Sequence, residues 1–374
     1  MLEVIVVGSG LAGFGVALAL WERGAAVTLV DAGRPGGGAT GASAGMLAAQ
    51  YESTADSPKF RLCLESRRRY PVFAARVAEL CRQDLGIRWD GMLVANLCER
   101  EHVDADEVAC WQREAALRAE VVGPEEAARI QPGVSGDVVS YLWLPDEGQL
   151  DSQALGAALG AAIASTDIRL IAGNGVREVK VSGGAVAGVL TVDGRSLDGE
   201  RVVLAAGAWS GSIAGASGRR LPVRPVRGQI VRLAVSEFAL GPIIASHAGR
   251  YVVPRGRGTV IAGSTMEEVG FDRSITEEGC RVIQDAAAEL IPALAGRKPL
   301  EQWAGLRPIS ADSSPIIGPD PEIEGLFYAT GYGRDGILLS PLVGDLVAEL
   351  IVTGETELDW HPFRIGRFTE LDSE

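Results

Sequence analysis

Residues 2–31 read LEVIVVGSGLAGFGVALALWERGAAVTLVD, and the fold follows from this stretch. Leu2–Val7 is a short apolar run suited to a buried parallel strand. Gly8-Ser9-Gly10-Leu11-Ala12-Gly13 satisfies the pattern G-x-G-x-x-G, and the helical stretch Leu11–Glu22 stops at Arg23-Gly24. Ala26–Val30 is a second strand, closed by Asp31. Strand, glycine turn, helix, strand and acid agree with one another. The unit therefore reads as a dinucleotide-binding βαβ element rather than a chance glycine-rich turn. Gly8 permits the tight turn, Gly10 lets a pyrophosphate approach the backbone, and Gly13 lets helix and strand pack closely. The N–H groups around Leu11 and Ala12 open the helix at its positive dipole end, and Asp31 can accept from ribose hydroxyls. An acid here, where an Arg would meet a 2′-phosphate, leaves NAD and FAD both open.

Working outward, a glycine-rich uncharged segment covers Gly36–Gly45 and a charge-patterned helical stretch covers Lys59–Leu85. Ile87–Pro145 mixes strands and short helices, and Ser152–Ser165 reads as a helix of small residues. Val176–Val181, Ala185–Val192 and Val202–Leu204, with turn signals between them, read as a β-meander. The last of these enters a glycine turn at Ala206-Gly207, with Trp209 behind it. Residues 221–265 are strand-rich and 276–297 helical; Gly325–Thr330 is a strand that runs into Gly331–Gly336 and an apolar helix through Ile351. Nucleotide-binding features at both ends imply two interleaved domains. The expected class is α/β, a Rossmann-type nucleotide-binding domain from 1–80, 151–215 and 303–374. An α+β substrate domain with a large, mostly antiparallel sheet comes from 81–150 and 216–302.

Composition narrows the function classes. The 374 residues suffice for two cores, and 47% hydrophobic residues is ordinary for a globular protein. A net charge of −14 without a basic stripe argues against nucleic acid and against an anionic membrane surface. The uncharged run Pro35–Tyr51 is broken by five glycines, so no transmembrane segment is expected. Met1–Gly8 enters a strand directly and is no signal peptide. Five scattered cysteines fit reduced thiols and a cytoplasmic location, and three dispersed histidines offer no metal site. Oligomeric state stays open, a homo-oligomer included.

Gly331-Tyr332-Gly333-Arg334-Asp335-Gly336 also fits G-x-G-x-x-G, but too little chain follows for a second dinucleotide unit. A loop feeding the helix from Ile337, with Pro341 in its early turn, can instead aim N–H groups at the electron-rich edge of a flavin.

Gly8–Gly13 with Asp31, Thr40–Leu47 (TGASAGML), Tyr251–Arg255 (YVVPR), Trp303–Pro308 (WAGLRP) and Gly331–Leu339 together resemble the glycine oxidase branch of the D-amino-acid oxidase and sarcosine oxidase superfamily. The resemblance covers nearly the whole chain. It implies a non-covalent FAD, since the cysteine that holds flavin in sarcosine oxidases has no counterpart after Cys280. It also implies oxidation of a small amino-carboxylate substrate by hydride transfer to flavin N5. The imine then hydrolyses, O2 is reduced to H2O2, and the family role is to supply thiamine thiazole synthesis.

By resemblance, Thr40, Ala42, Ser43, Ala44, Gly45 and Met46 line the flavin, Val176 contacts the adenine half, and Ala206, Gly207 and Trp209 belong to the cofactor site. Arg334 would pair with the substrate carboxylate, with Tyr251 and Arg307 close by; the loop residues Gly331, Tyr332, Gly333, Asp335, Gly336 and Ile337 complete the site. A guanidinium fork suits a carboxylate, and hydride transfer from a neutral amine needs no strong base. Arg307 can also be read as a structural bridge, and Met46 and Met266 as apolar wall.

The chain departs from the family where the late loop usually reads Gly-His-x-Arg-Asn-Gly: Tyr332 and Asp335 stand in place of the His and Asn. Gly249 replaces a histidine, with His247 two residues earlier. Gly249 and Gly333 leave room for an N-substituted glycine larger than glycine or sarcosine, such as an N-carboxymethyl amine. Alternatives are a flavin monooxygenase, although the place of the Gly-Asp motif that holds the ribityl chain in such enzymes reads Ile317-Gly318-Pro319-Asp320 here, a quinone-coupled amine dehydrogenase, and a non-catalytic FAD module.

Overall fold

The computed structural model describes residues 1–53, 55–213, 220–235, 239–256 and 258–368. Glu3–Val7 (β1), Leu11–Glu22 (α1) and Ala26–Asp31 (β2) form as the opening stretch dictates. A six-stranded sheet runs in the order Ile316–Pro319, Leu326–Thr330, Arg201–Leu204, β1, β2, Arg169–Ala172. All its pairs are parallel except the first. With helices over its face, strands can be apolar on both sides, as Val4–Val7 and Val202–Leu204 are.

The meander differs from its expected course. Val176–Ser182 and Ala185–Thr191 pair antiparallel, but the third strand of that sheet is Ser196–Leu197. Arg201–Leu204 instead lies between β1 and Leu326–Thr330 in the parallel sheet. Val202, Val203 and Leu204 are all buried, and a meander strand with one wet face could not hide three successive apolar side chains.

α1 packs against the late helix Gly336–Thr353 at a glycine crossing. A Cβ on Gly15 would come 2.8 Å from the Ser340 carbonyl oxygen, and one on Gly344 would overlap the Gly15 backbone. The N-termini of both helices border the same cavity. The late helix is long and apolar enough to cross a membrane, but 72% of it is buried here, against α1 and the helix Pro58–Cys81. That makes it a core element of the fold.

The second sheet has eight strands, in the order Glu301–Ser310, Val223–Ala234, Thr259–Gly263, Tyr251–Arg255, Ile243–Ser246, Met92–Asn96, Ser140–Leu144, Glu120–Val122. Only Ile243–Ser246 and Met92–Asn96 pair in parallel. Glu301–Ser310 pairs along its length with Val223–Ala234, from Arg232 opposite Glu301 to Val223 opposite Ser310. The boundary expected at residue 303 is thus displaced: this strand hydrogen-bonds into the large sheet, not the nucleotide-binding one. A short ribbon, Met46–Leu47 with Gly148–Gln149, ties the glycine-rich segment to residues before the helix Ser152–Ala164.

Candidate active site

A cavity of about 640 Å³ is lined from both large sheets. Gly8, Gly10, Leu11, Ala12, Asp31 and Val176 border it, as do Thr40, Ala42, Ser43, Ala44, Gly45 and Met46. Ala206, Gly207, Trp209, Tyr251, Arg307, Tyr332, Gly333, Arg334, Gly336 and Ile337 complete this set. Three residues expected in the cofactor site stand outside the lining. Gly13 faces the Gly8 carbonyl, where a Cβ would overlap it; Gly331 packs on Ser310 and Ile316; and Asp335 is buried against Lys59.

The nucleotide end is held by short polar contacts. Asp31 accepts from the Ser9 N–H at 2.6 Å and its hydroxyl at 2.8 Å, and from the Gly33 N–H at 2.7 Å. It therefore fixes the fingerprint turn as well as facing the cavity. The Thr40 hydroxyl accepts from the Leu11 N–H at 3.0 Å, which ties the glycine-rich segment to the start of α1. At Gly10 a Cβ would meet only the Thr40 hydroxyl, at 3.4 Å, so the backbone there is open to a close-fitting anion. A glycine turn, an acid and two helix N-termini around one long cavity make a cradle for an anionic dinucleotide with a flat head group, and FAD fits it.

Four charges cluster where the late loop meets the helix Pro58–Cys81. Glu52 accepts from Nε and Nη2 of Arg334, each at 2.9 Å. Burial opposes charge on Arg334, but Glu52 outweighs it and the guanidinium is held above its usual range. Burial likewise pushes the Glu52 carboxyl up. Asp335, which would otherwise add a negative charge beside the flavin loop, pairs with Lys59 at 2.9 Å. Tyr332, in the place of the family's His, is buried, which raises its phenol, and its hydroxyl has no partner among the described residues.

Arg307 differs from Arg334. Its guanidinium donates to the Ser264 hydroxyl at 2.6 Å and the Thr265 carbonyl at 3.1 Å, and lies over Gly228, where a Cβ would overlap it. No carboxylate pairs with it among the described residues. Burial lowers its pKa, and Tyr251 is close enough to support the charge. Arg307 thus bridges two neighbours and also borders the cavity.

Some expectations find another place. His247 does not fill the gap at Gly249; it is exposed and hydrogen-bonds Asn96 at 2.6 Å. The space beside Gly249 is not free either, because a Cβ there would lie 3.0 Å from Nη1 of Arg334. Gly333 does face open space. Met266 is 53% exposed and outside the cavity wall, whereas Met46 belongs to it. Asp320 accepts from the Glu322 and Ile323 N–H groups, each at 2.8 Å, and from the Tyr328 hydroxyl at 2.6 Å. It pins a turn and does not border the cavity, so it cannot hold a ribityl chain in the manner of a monooxygenase. Glu52, Lys59 and Ser264 carry no signal in the sequence, because no local pattern marks residues whose partners lie far along the chain.

The family model described as DAO, FAD dependent oxidoreductase, matches residues 3–350. The chain belongs to this family. Glycine oxidase of Geobacillus kaustophilus is 32% identical over 98% of this chain and 97% of its own length. The crystal structure of glycine oxidase from Geobacillus kaustophilus superposes with a TM-score of 0.93 at 31% identity, covering 98% and 99% of the two chains. Iminodiacetate oxidase from Chelativorans sp. BNC1 superposes with a TM-score of 0.86 at 27% identity, covering 96% and 98%. This DAO-family chain is accordingly an FAD-dependent amine or amino-acid oxidase. FAD is its cofactor, and the mixed α/β architecture is that of glycine oxidase.

Proposed function

We propose that this DAO-family enzyme oxidises an N-substituted glycine, in particular an N-carboxymethyl amine, and releases glyoxylate and a primary amine. The balance is R–NH–CH2–COO⁻ + O2 + H2O → R–NH2 + OHC–COO⁻ + H2O2. The observation that carries this reading is Arg307, a guanidinium at the cavity wall with no carboxylate partner among the described residues. A half-buried cation of this kind suits a substrate carboxylate, which supplies the missing negative charge and matches the fork. The carboxylate grip first expected at Arg334 passes to Arg307, because Glu52 already meets the charge on Arg334.

Two relatives support the substrate class. One is named for glycine and the other for iminodiacetate, which is itself an N-carboxymethyl glycine. Open space at Gly333 supports a substituent on nitrogen larger than hydrogen.

FAD held by the glycine turn and the segment Thr40–Met46 would supply the two-electron acceptor for the substrate hydride and the route of that electron pair to O2. The chain's own work is positioning. Arg307 and Tyr251 hold the carboxylate, and the amine must arrive neutral, which no histidine in the cavity lining is there to arrange. The Glu52–Arg334 and Asp335–Lys59 pairs keep the neighbourhood of the reacting carbon close to neutral overall, so the carboxylate is recognised by Arg307 and not by a general excess of positive charge. Free thiols at all five cysteines support a reducing compartment such as the cytoplasm.

Steady-state peroxide formation tests the reading, with glycine, sarcosine, iminodiacetate and longer N-alkyl glycines as substrates. The N-carboxymethyl amines are expected to give the highest kcat/KM. A clear preference for glycine would retire the N-substituted reading, and consumption of NAD(P)H would move the enzyme to the monooxygenases.

A further inference from the structure

Among the described residues two arginines are buried, Arg227 and Arg255, and they are treated in opposite ways. Arg227 sits between Glu267 and Asp272. Arg255, 9% exposed at the end of the strand Tyr251–Arg255, has no carboxylate at ion-pair distance among the described residues. Its acceptors are all neutral: Nη2 donates to the Ala44 carbonyl at 2.5 Å, and Nη1 to the Gln149 side chain at 3.0 Å and the Pro254 carbonyl at 2.9 Å. Its Nε is buried without a partner. Burial lowers its pKa only to about 10, so it stays cationic at neutral pH.

Taking a guanidinium out of water without an anion is costly, and neutral carbonyls repay only part of that. Asp151 offsets part of this cost from beyond ion-pair distance, and the rest of the balancing charge is to be sought in something the protein binds. Ala44 and Gly45 border the cavity, while Arg255 does not. Gly45 has φ +68°, and a Cβ on it would lie 3.4 Å from Nη2 of Arg255. The guanidinium thus stands one peptide plane behind the cavity wall, under the segment Ala42–Met46. A substrate cannot reach it there, but its field crosses a single peptide layer in a poorly solvated region.

We propose that Arg255 is a positioning residue for the flavin, clamping the Ala44 carbonyl and Gln149 so that Ala44–Met46 keeps its shape, and lending its unpaired positive charge to the anionic reduced cofactor. A Lys could supply the charge but not the fork that spans Ala44 and Gln149. The proposal does not depend on which amine is the substrate.

The test measures two quantities on purified holoenzyme: the FAD dissociation constant and the two-electron flavin potential, for wild type, Arg255→Met, Arg255→Lys and Arg255→Gln. In Arg255→Met and Arg255→Gln, FAD is expected to bind at least tenfold more weakly. The preference for reduced over oxidised flavin is expected to fall at least tenfold, which is about 30 mV for a two-electron couple. Arg255→Lys is expected to restore the potential while FAD binding stays weakened. If the Met variant does not retain FAD, the Lys and Gln variants carry the comparison. Equal potentials in the charged and neutral variants would overturn the electrostatic role, and unchanged FAD binding in all three would overturn the clamp.

Discussion

Replacing Arg307 with Met removes the cation at the cavity wall while keeping a side chain of similar length. In the ligand-free protein the guanidinium is used by Ser264 and Thr265, at 2.6 and 3.1 Å, and neither is charged. The variant therefore strands no ion. Its stability should fall by only about 1–3 kcal/mol, the range for leaving a neutral buried acceptor unmet. Activity is another matter. A carboxylate on this fork makes two charge-assisted hydrogen bonds, each worth about 1.5–3 kcal/mol. Losing both takes about 3–6 kcal/mol from transition-state binding, a fall of roughly 10²–10⁴ in kcat/KM. The assay is the initial rate of peroxide formation at saturating FAD, with thermal melting run in parallel. An amine without a carboxylate serves as the control and should be turned over no worse by the variant than by wild type. A loss below tenfold at full FAD occupancy, or an equal loss on the control amine, refutes the assignment of Arg307.

Arg334→Met should behave the other way, with stability as the first casualty. It leaves Glu52 buried and unpaired, at a cost of about 3–5 kcal/mol, and Glu52→Gln in the same chain should recover most of this in a melting experiment. Burial raises the Glu52 pKa, so the folded state binds the proton more tightly; the Arg334→Met deficit should be smallest at acid pH and grow as pH rises through that pKa. Glu147, fully buried beside Arg67 and with Oε2 unpartnered, is pushed up from its ordinary 4.5 to about 7. Wild-type stability should therefore decline by up to about 3 kcal/mol between those pH values, and melting of Glu147→Gln should lack that slope. Gly344→Val forces side-chain atoms into the Gly15 backbone, so it should lower stability by about 1–3 kcal/mol and weaken FAD binding, read by melting and by flavin fluorescence.

What the sequence made legible was local. β1, the glycine turn and α1 announce themselves because the spacing of glycines and apolar residues is set by contacts a few residues apart, as between Gly13 and the Gly8 carbonyl. The fate of Val202–Leu204 was harder, since a short apolar run serves a meander or a parallel sheet equally well until its neighbours are known. The strand Glu301–Ser310 joined the large sheet through partners some seventy residues earlier, which no turn signal betrays. Charge pairing was less legible still. Arg334 stands out in its glycine loop, but Glu52, which pairs with it, lies 282 residues away. Arg255 reads as the end of a strand motif, and only the three-dimensional structure shows that its hydrogen-bond acceptors are all neutral.

The most direct measurement is an anaerobic titration of the yellow holoenzyme, following the visible flavin band as candidate amines are added. The enzyme described here should bleach with N-carboxymethyl amines at concentrations well below those needed for glycine, and Arg307→Met should lose that response while dithionite still reduces it. If no carboxymethyl amine bleaches a flavin that dithionite reduces readily, an unpaired guanidinium at position 307 is not there to hold a substrate carboxylate.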